Sequence, residues 1–547
     1  MASIQDFGGV QFLRAAEGTI ETQAYKNNNY QYASSTYGLG HDMHPALIVQ
    51  PKNDQDVITA IKYAKENKIA VAVKSGGHQY SGASSTSGAN ILIDMKPTYK
   101  NVGRDLMVLD QSTEKALVYC SVSFSLGEFN GFLKKNGLFI PHGQCINVHI
   151  GGHAQTGGYG QLGRSFGLLG DHVREIRLVD HNAELKIINA SSDPDLFNAI
   201  LGGSPGNFGI ITHYTLEVHR DADYNFKSVG GEGPRGLRVV WLYNKATVKA
   251  LLAKVAEMAD NPEFPRNYDL CFSVLSSDFS ITNLVPEMDG VMKRDHPEIY
   301  GLDGMAHWPA SIIMYAQWVP FSKDDKHDPK WFAALNDCGH RRLLTQDFDQ
   351  PMSAMTGEWI FKQPREFDHP YEKRTYMTNS TNLSTSGWID AVASQLDKVV
   401  AKDITSDLWR NCWLSAQIQC FGGNHSKFRT NASNGTSYSW RDSTVCQTID
   451  CFHESLSKRT ADAWQAENDK LFVGPDSCFS KQDKRVLWGS YGEFDLHKVR
   501  SAYYDNEAKY RHLQQVRAKA DPDGTFTANP FAVRRASASA SASMAKM

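Results

Sequence analysis

The sequence predicts an α+β fold in which two α/β lobes are interrupted by an inserted antiparallel sheet backed by helices. Three observations carry that expectation. Apolar runs of strand length alternate with a helical period between residues 44 and 94. The same alternation returns on a larger scale between residues 117 and 218. From about residue 222 to 480 it fades, and Trp, Met, Pro and charged residues become more frequent. A chain of 547 residues is long enough for two or three domains with their own cores.

In the first lobe, Ala46-Leu47-Ile48-Val49 is a short apolar run closed by Pro51. Asn53 or Asp54 then caps a helix whose Val57, Ile58, Ile61 and Ala64 fall at helical spacing. Residues 69–73 and Ile91-Leu92-Ile93 are further strands. In the second lobe a strand near 117–122 precedes a helix over 126–136 ended by Gly137. A Gly-rich segment, 143–163, follows. Val173–Val179 and Leu185–Ile188 then pair about the turn His181-Asn182. A second Gly-rich turn, 202–209, enters a buried strand at Ile210-Ile211. The expected organisation is lobes over 1–221, an inserted domain over 222–480, and a return to the lobes over 481–533 through 486–493 and 503–529. The Ala/Ser-rich tail, 534–547, is of low complexity and expected to be disordered.

Composition excludes several function classes. Apolar content of 41% and charge of 21% are ordinary for a globular protein, and a net charge of −3 gives no reason to expect nucleic acid or an anionic membrane as partner. No apolar run approaches the roughly 18–20 residues that span a bilayer. Met1-Ala2-Ser3-Ile4-Gln5-Asp6 has neither a basic start nor an apolar core, so no secretory signal is expected. The nine cysteines include no Cys-x-x-Cys pair, so no metal site is expected. Cys120, Cys271, Cys338, Cys412, Cys420, Cys446, Cys451 and Cys478 read as reduced and packed like small apolar side chains. The sequons at Asn379, Asn382, Asn431 and Asn434 read as chance.

Two stretches carry the chemistry. The first is Val71-Ala72-Val73-Lys74-Ser75-Gly76-Gly77-His78, an apolar strand running into a tight turn. Its glycines let backbone N–H groups approach an anion with no Cβ in the way. The second is Gly143-Gln144-Cys145-Ile146-Asn147-Val148-His149-Ile150-Gly151-Gly152-His153. Together they resemble the covalent flavin clamp of the berberine-bridge-enzyme-like flavoproteins, within the vanillyl-alcohol-oxidase superfamily. The resemblance covers roughly residues 40–220 and 410–530. It implies a split PCMH-type FAD-binding domain holding FAD bicovalently, His78 bonded to the 8α-methyl carbon and Cys145 to flavin carbon 6. A thiolate is the attacking form, so the site must help to deprotonate Cys145.

The resemblance also places Lys74, Ser75, Gly76, Gly77, Gln79, Val148, Gly151, Gly152, His153, Gly157, Gly158, Gly209, Ile210 and Asn529 at the cofactor. Further backbone contacts are expected from Tyr159, Gly160, Gly202 and Gly203. By the same resemblance a valine at Val148 leaves room for dioxygen, as in an oxidase, and His153 contacts the ribityl and pyrimidine region. Lys74 stands where the family has arginine, and His149 and Ile150 replace smaller residues.

Leu487-Trp488-Gly489-Ser490-Tyr491-Gly492-Glu493 resembles the family's C-terminal tyrosine motif, with Ser490 in place of asparagine. It makes Tyr491 the active-site base and a cofactor neighbour. Tyrosine titrates near pH ~10, so it serves as base only if the site stabilises tyrosinate or passes the proton on. The segment 413–420 alternates with period two, Trp413, Ser415, Gln417 and Gln419 on one face and Leu414, Ala416, Ile418 and Cys420 on the other. The segment resembles the family's strand ending in Tyr-Gly-Gly or similar, and that resemblance implies that Gln417 and Gln419 orient substrate. Carbohydrate oxidases of the family often carry a carboxylate at the position of Gln419, and glutamine cannot accept a proton in its place. Glu493 is the nearest alternative in sequence.

The expectation is an oxidase taking hydride from a substrate C–OH to FAD and then to dioxygen, with a sugar or oligosaccharide oxidised to a lactone. Oxidation or cyclisation of a phenolic or alkaloid-like compound is the alternative, and a flavin- and ligand-binding protein without turnover is a third reading. Expected partners are the small-molecule substrate and dioxygen. The final Ala545-Lys546-Met547 resembles a peroxisomal address read by an import receptor, which sets the peroxisome ahead of the cytosol.

Overall fold

The chain is seen in a computed structural model that describes residues 3–32, 43–111, 115–277, 285, 287–295, 309–360, 369–401, 409, 411–488, 494–526 and 528–536. It is an α+β structure, and the described strands gather into three sheets. The first contains β1 (Val10–Leu13), β2 (Leu47–Gln50), β3 (Val71–Lys74) and β4 (Ile91–Asp94), in the order β1-β2-β4-β3. β2, β4 and β3 run parallel and β1 is antiparallel to β2. Parallel strands are buried on both faces. Here Leu47, Val49, Ile91 and Ile93 join the main core, while Ile48, Ala72 and Leu92 pack on Tyr25 of α1 (Gln23–Asn29). α2 (Asp54–Glu66) starts where the Asn53 side chain accepts from the Asp56 N–H at 3.2 Å, and it buries Val57, Ala60, Ile61 and Ala64. β1 and α1 are too short to show a period in the sequence.

The second sheet contains β5 (Leu106–Asp110), β6 (Ala116–Ser121), β7 (Leu138–Phe139), β8 (Val173–Val179), β9 (Leu185–Ile188) and β10 (Ile210–Arg220). Its order is β5-β6-β10-β8-β9, with β7 pairing β10. Between β6 and β7 lies α3 (Leu126–Lys135), opened by a reciprocal Ser125–Glu128 capping box. Part of the Gly-rich segment is itself helical, as α4 (Ile150–Gln155).

The third sheet has seven antiparallel strands, in the order β14-β11-β13-β12-β16-β17-β15. They are β11 (Arg235–Leu242), β12 (Tyr268–Leu275), β13 (Ser311–Trp318), β14 (Arg342–Phe348), β15 (Tyr371–Thr378), β16 (Cys412–Cys420) and β17 (Val445–His453). Helices Lys245–Asp260, Trp388–Val400 and Lys458–Phe472 cover one face. Leu414, Ala416, Ile418 and Cys420 of β16 pack with them in a second core. The other face of the sheet turns toward the lobes.

Two buried polar centres fasten this sheet to the lobes. The guanidinium of Arg164, wholly buried, donates to the carbonyls of Gly422 (2.8 Å), Phe264 (2.9 Å), Pro265 (3.0 Å) and Tyr268. The Arg164 N–H reaches Asp269 at 3.0 Å. Burial pushes the Asp269 carboxyl up to about 6 in spite of its hydrogen bonds to Ser165 and the nearby arginine. The second centre is Asp171, which accepts from Arg441, from Asn431 (3.0 Å) and from Asn434 (2.9 Å). Those asparagine amides are the glycosylation positions of two sequons, and a glycan would replace one of the two N–H groups on each nitrogen. Burial opposes ionisation of Asp171, but Arg441 wins and holds the carboxyl below its ordinary range.

The chain returns to the lobes after β17. Val71 N–H donates to Thr525 O at 2.7 Å, Asn207 to Phe526 O at 2.9 Å, and Tyr504 hydroxyl to Gly203 O at 2.9 Å. Of the return segment 486–493, residues 486–488 carry no strand and 489–493 lie outside the described residues, as does the tail from 537. All nine cysteines are free thiols. Among the described residues no helix is long and apolar enough to cross a membrane, and no group of three His, Cys, Asp or Glu could hold a metal.

Replacing Arg164 by methionine removes the donor from four carbonyls, three of them in buried hydrogen bonds, and should lower stability by about 3–5 kcal/mol in denaturant unfolding; an unchanged midpoint would refute the fastening role. Because the Asp171 carboxyl is depressed in the folded state, its contribution is complete at neutral pH and is lost as pH falls below the ordinary 3.8 through the lower folded value. The stability gap between wild type and Asp171→Asn should therefore close in acid, measured as unfolding midpoint against pH.

Candidate active site

A cavity of about 370 Å³ lies between the lobes and the third sheet. From the lobes it is lined by residues 75–80 after β3, by Gly143, Gln144 and Cys145, by Val148, His149, Gly151, Gly152 and His153, and by Gly206 and Gly209. From the sheet come Ser273 and Leu275 of β12, Ser415, Gln417 and Gln419 of β16, Thr448 and Asp450 of β17, and Lys373 of β15; Trp488 also lines it. The register explains the row. Gln417 lies between Ser273 and Thr448, and Ser415 between Leu275 and Asp450, which faces Lys373. In a pleated sheet, directly opposed residues project to the same side.

Glycine brings the two motifs together. A Cβ on Gly76 would lie 2.5 Å from His149 Nδ1 and 2.9 Å from Asn147 O, so no side chain could stand between them. Gly77 holds φ at +68°, which turns His78 into the same cavity as Cys145. The His78 ring stacks on Tyr32, centroids 4.9 Å apart and planes inclined by 23°. His149 Nδ1 lies 2.8 Å from Asn147 O, and burial pushes this imidazole down to about 4. His153 Nε2 accepts from the Gly143 N–H at 3.0 Å, and burial pushes it down to about 3. Both rings are neutral at pH 7, and the hydrogen bonds put the proton of each on Nδ1.

The polar wall is connected. Gln419 Nε2 donates to Gln417 Oε1 at 3.0 Å, and Gln417 Nε2 donates to Gln144 Oε1. Gln144 Nε2 and Trp488 Nε1 are buried donors without a protein partner, and both residues line the cavity. At the end of the row Lys373 Nζ meets both carboxylate oxygens of Asp450, at 2.6 and 2.7 Å, and lies 4.3 Å from the Tyr80 ring centroid and 5.3 Å from that of Trp488.

These features fit a flavin dinucleotide. Unpaired donors await acceptors, and Gly152 leaves open space where a Cβ would project. His78 and Cys145 would hold the ring system, and the glycine-lined part of the cavity would hold the rest.

Several expected residues take other places. β3 alternates, so Val73 lines this cavity while Lys74 turns to Asp94 (3.2 Å) and Asn28 O (2.6 Å); Lys74 does not line this cavity but lines an adjoining second one of about 450 Å³ together with Ser75, Gly76, His78 and Cys145. Asn529 does not face the cavity either. Its amide donates to the carbonyls of Ala83 and Ser85, both at 3.0 Å, and so fastens the loop behind the flavin turn. Ile210 turns its side chain into the core, and the neighbouring Gly209 and Ile211 line the cavity. Gly157 (φ +110°) and Gly158 (φ +74°) do not line it, and instead make room for Tyr159, Leu169 and His153. Gly202 and Gly203 pack against Tyr438 and Phe208. Gln79 lines the cavity and donates to Leu487 O at 2.9 Å. Trp413 stacks on His369. Tyr491, Ser490 and Glu493 lie outside the described residues.

Sequence reasoning missed Lys373, Asp450, Tyr80 and Tyr32. Lys373 sits in Glu372-Lys373-Arg374, which reads as a solvated charge run. Asp450 carried a usable signal, since Thr448 and Asp450 alternate with Ile449 and Cys451 in a strand. If the Gly76 contact is needed to form the cradle, Gly76→Ala should lower bound FAD about tenfold or more. Gly131→Ala, where a Cβ meets nothing within 4 Å, should leave the ratio of flavin to protein absorbance unchanged.

Comparison with known proteins agrees with this geometry. Residues 45–189 match the FAD binding domain family. The uncharacterised FAD-linked oxidoreductase YvdP of Bacillus subtilis is 35% identical over 179 residues, 33% of this chain and 38% of that protein. Berberine bridge enzyme-like 12 of Arabidopsis thaliana is 32% identical over 176 residues, 32% of each chain. The chain thus matches about a third of the length of these relatives. Among solved structures, the wild-type BBE-like 1 of Physcomitrella patens superposes with a TM-score of 0.67 at 17% identity, covering 96% of this chain and 97% of that one. A carbohydrate oxidase from Microdochium nivale superposes with a TM-score of 0.66 at 18% identity, covering 97% and 98%. At such identities the structural likeness speaks for the fold, and the sequence relatives supply the cofactor. Residues 45–189 thus form an FAD binding domain, and over about a third of its length the chain is similar to FAD-linked oxidoreductases that include a berberine bridge enzyme-like protein.

Proposed function

We propose that the protein is an oxidase that takes hydride from a substrate C–OH to covalently held FAD and passes the electrons to dioxygen, giving hydrogen peroxide. The proposed substrate is a sugar or oligosaccharide, oxidised to a lactone. The observation that carries this reading is the wall opposite His78 and Cys145. Ser273, Ser415, Gln417, Gln419 and Thr448 present hydroxyls and amides in one row, ending at the Lys373–Asp450 pair. Such a surface matches a substrate dense in hydroxyl groups, each of which both donates and accepts. Structural neighbours titled carbohydrate oxidase and chitooligosaccharide oxidase support the same class.

FAD supplies the hydride acceptor when bound. The chain's own residues do the rest. His78 and Cys145 tether the cofactor, one link each. Gln417 and Gln419 orient the substrate hydroxyls, their amides fixed by the chain to Gln144. Tyr491 takes the hydroxyl proton. Val148, half-buried in the cavity wall, keeps space beside the ring for dioxygen. His149 and His153, neutral at working pH, add no charge near the ring.

A second reading, oxidation or cyclisation of a phenolic or alkaloid-like compound, is favoured by Tyr80 and Trp488, whose rings line one end of the cavity. Anaerobic bleaching of the visible flavin band separates the two. A mono- or oligosaccharide should bleach it; bleaching by aromatic compounds alone would select the second reading, and no bleaching would leave a protein that binds without turnover. Gln419→Leu should lower kcat/KM for the bleaching sugar about 10- to 100-fold through loss of a substrate hydrogen bond. Cys145→Ala should keep its flavin through His78 on denaturation; complete release would end the bicovalent assignment.

A further inference from the structure

We propose that Tyr32 is the positioning residue that orients His78 for attachment of the flavin. The proposal rests on the covalent reading of His78 above. The two rings are stacked, with centroids 4.9 Å apart and planes inclined by 23°. Tyr32 is also tied to the flavin turn by its backbone, whose N–H donates to Gly77 O at 2.9 Å. Its ring also makes edge contacts to Tyr80 at 5.3 Å and Tyr371 at 6.1 Å. Tyr80 in turn lies over the Lys373 ammonium that Asp450 fixes. The orientation of His78 is thus passed through Tyr32 to the substrate sheet.

The chemistry suits this arrangement. The nitrogen lone pair that bonds carbon lies in the plane of an imidazole, whereas stacking covers only the face. A stacked partner therefore fixes the plane of the ring without itself engaging the nitrogens at its edge. Attachment forms one N–C bond between the imidazole and the flavin 8α carbon and breaks one N–H and one C–H bond. Two protons and two electrons pass to the flavin ring system, and dioxygen removes them as hydrogen peroxide. The step demands in-plane approach, so a freely turning imidazole would meet the carbon in the right attitude less often. Stacking of this kind is worth about twofold to tenfold in an equilibrium.

The test uses a Cys145→Ala background, in which only the His78 link can hold flavin. The covalent fraction, measured as flavin retained after acid precipitation, is followed with time in purified protein incubated with FAD in air. Tyr32→Phe keeps the ring and should attach flavin at the rate of the Cys145→Ala parent. Tyr32→Leu and Tyr32→Met should slow attachment about twofold to tenfold while total bound flavin stays at the parent level. The methionine variant keeps the apolar volume if the leucine one fails to fold. Equal rates in the Phe, Leu and Met variants would overturn the role of Tyr32 alone. Loss of all covalent flavin in the Cys145→Ala parent would instead remove the His78 bond itself, and the proposal with it.

Discussion

Of the two buried centres that fasten the polar sheet to the lobes, the one with the most hydrogen bonds across the boundary is built on a single side chain. Arg164 belongs to a short helix of the lobes, yet its guanidinium donates only into the other unit, to carbonyls of the 264–268 segment and of Gly422 just beyond β16. Those segments adjoin β12 and β16, the strands that carry Ser273, Gln417 and Gln419. The planar fork of arginine reaches several carbonyls at fixed angles, which an ammonium on a flexible stem cannot do. Burial disfavours its charge, and four carbonyl dipoles with the Asp269 carboxyl nearby offset that cost. The site is thereby placed by a contact that touches neither cofactor nor substrate.

The Lys373–Asp450 pair has a different character. Both side chains are almost sealed from solvent, at 2% and 3% exposure, and such a pair contributes little net stability against well-packed apolar residues. Its value lies in direction. The ammonium faces two aromatic rings as well as the carboxylate, so the end of the hydroxyl- and amide-bearing row has one arrangement instead of several.

Much of the architecture was legible because burial imposes periods. The α2 helix, the strand pair β8–β9 and the two faces of β16 follow directly from apolar spacing. The flavin motifs were legible for another reason: they are local, and glycine is required where Gly76 touches His149 and where Gly77 takes a positive φ. What escaped was long-range. Nothing near Lys373 in the sequence points to Asp450, because the pairing of β15 with β17 creates their contact. Strand alternation turns Lys74 to Asp94, on the wall of the second cavity, and Asn529 is drawn to the carbonyls of Ala83 and Ser85.

The amide chain from Gln419 through Gln417 to Gln144 is polarised, since each group donates to the next and the last is left with an unused donor. Gln144 adjoins Cys145, the residue proposed to bond the flavin, whereas Gln419 stands on the sheet. An acceptor atom of the cofactor beside Gln144 would favour this direction of the chain over its reverse, in which every amide is flipped. Cofactor loading and sugar recognition would then be thermodynamically linked, each raising the affinity for the other by the same factor.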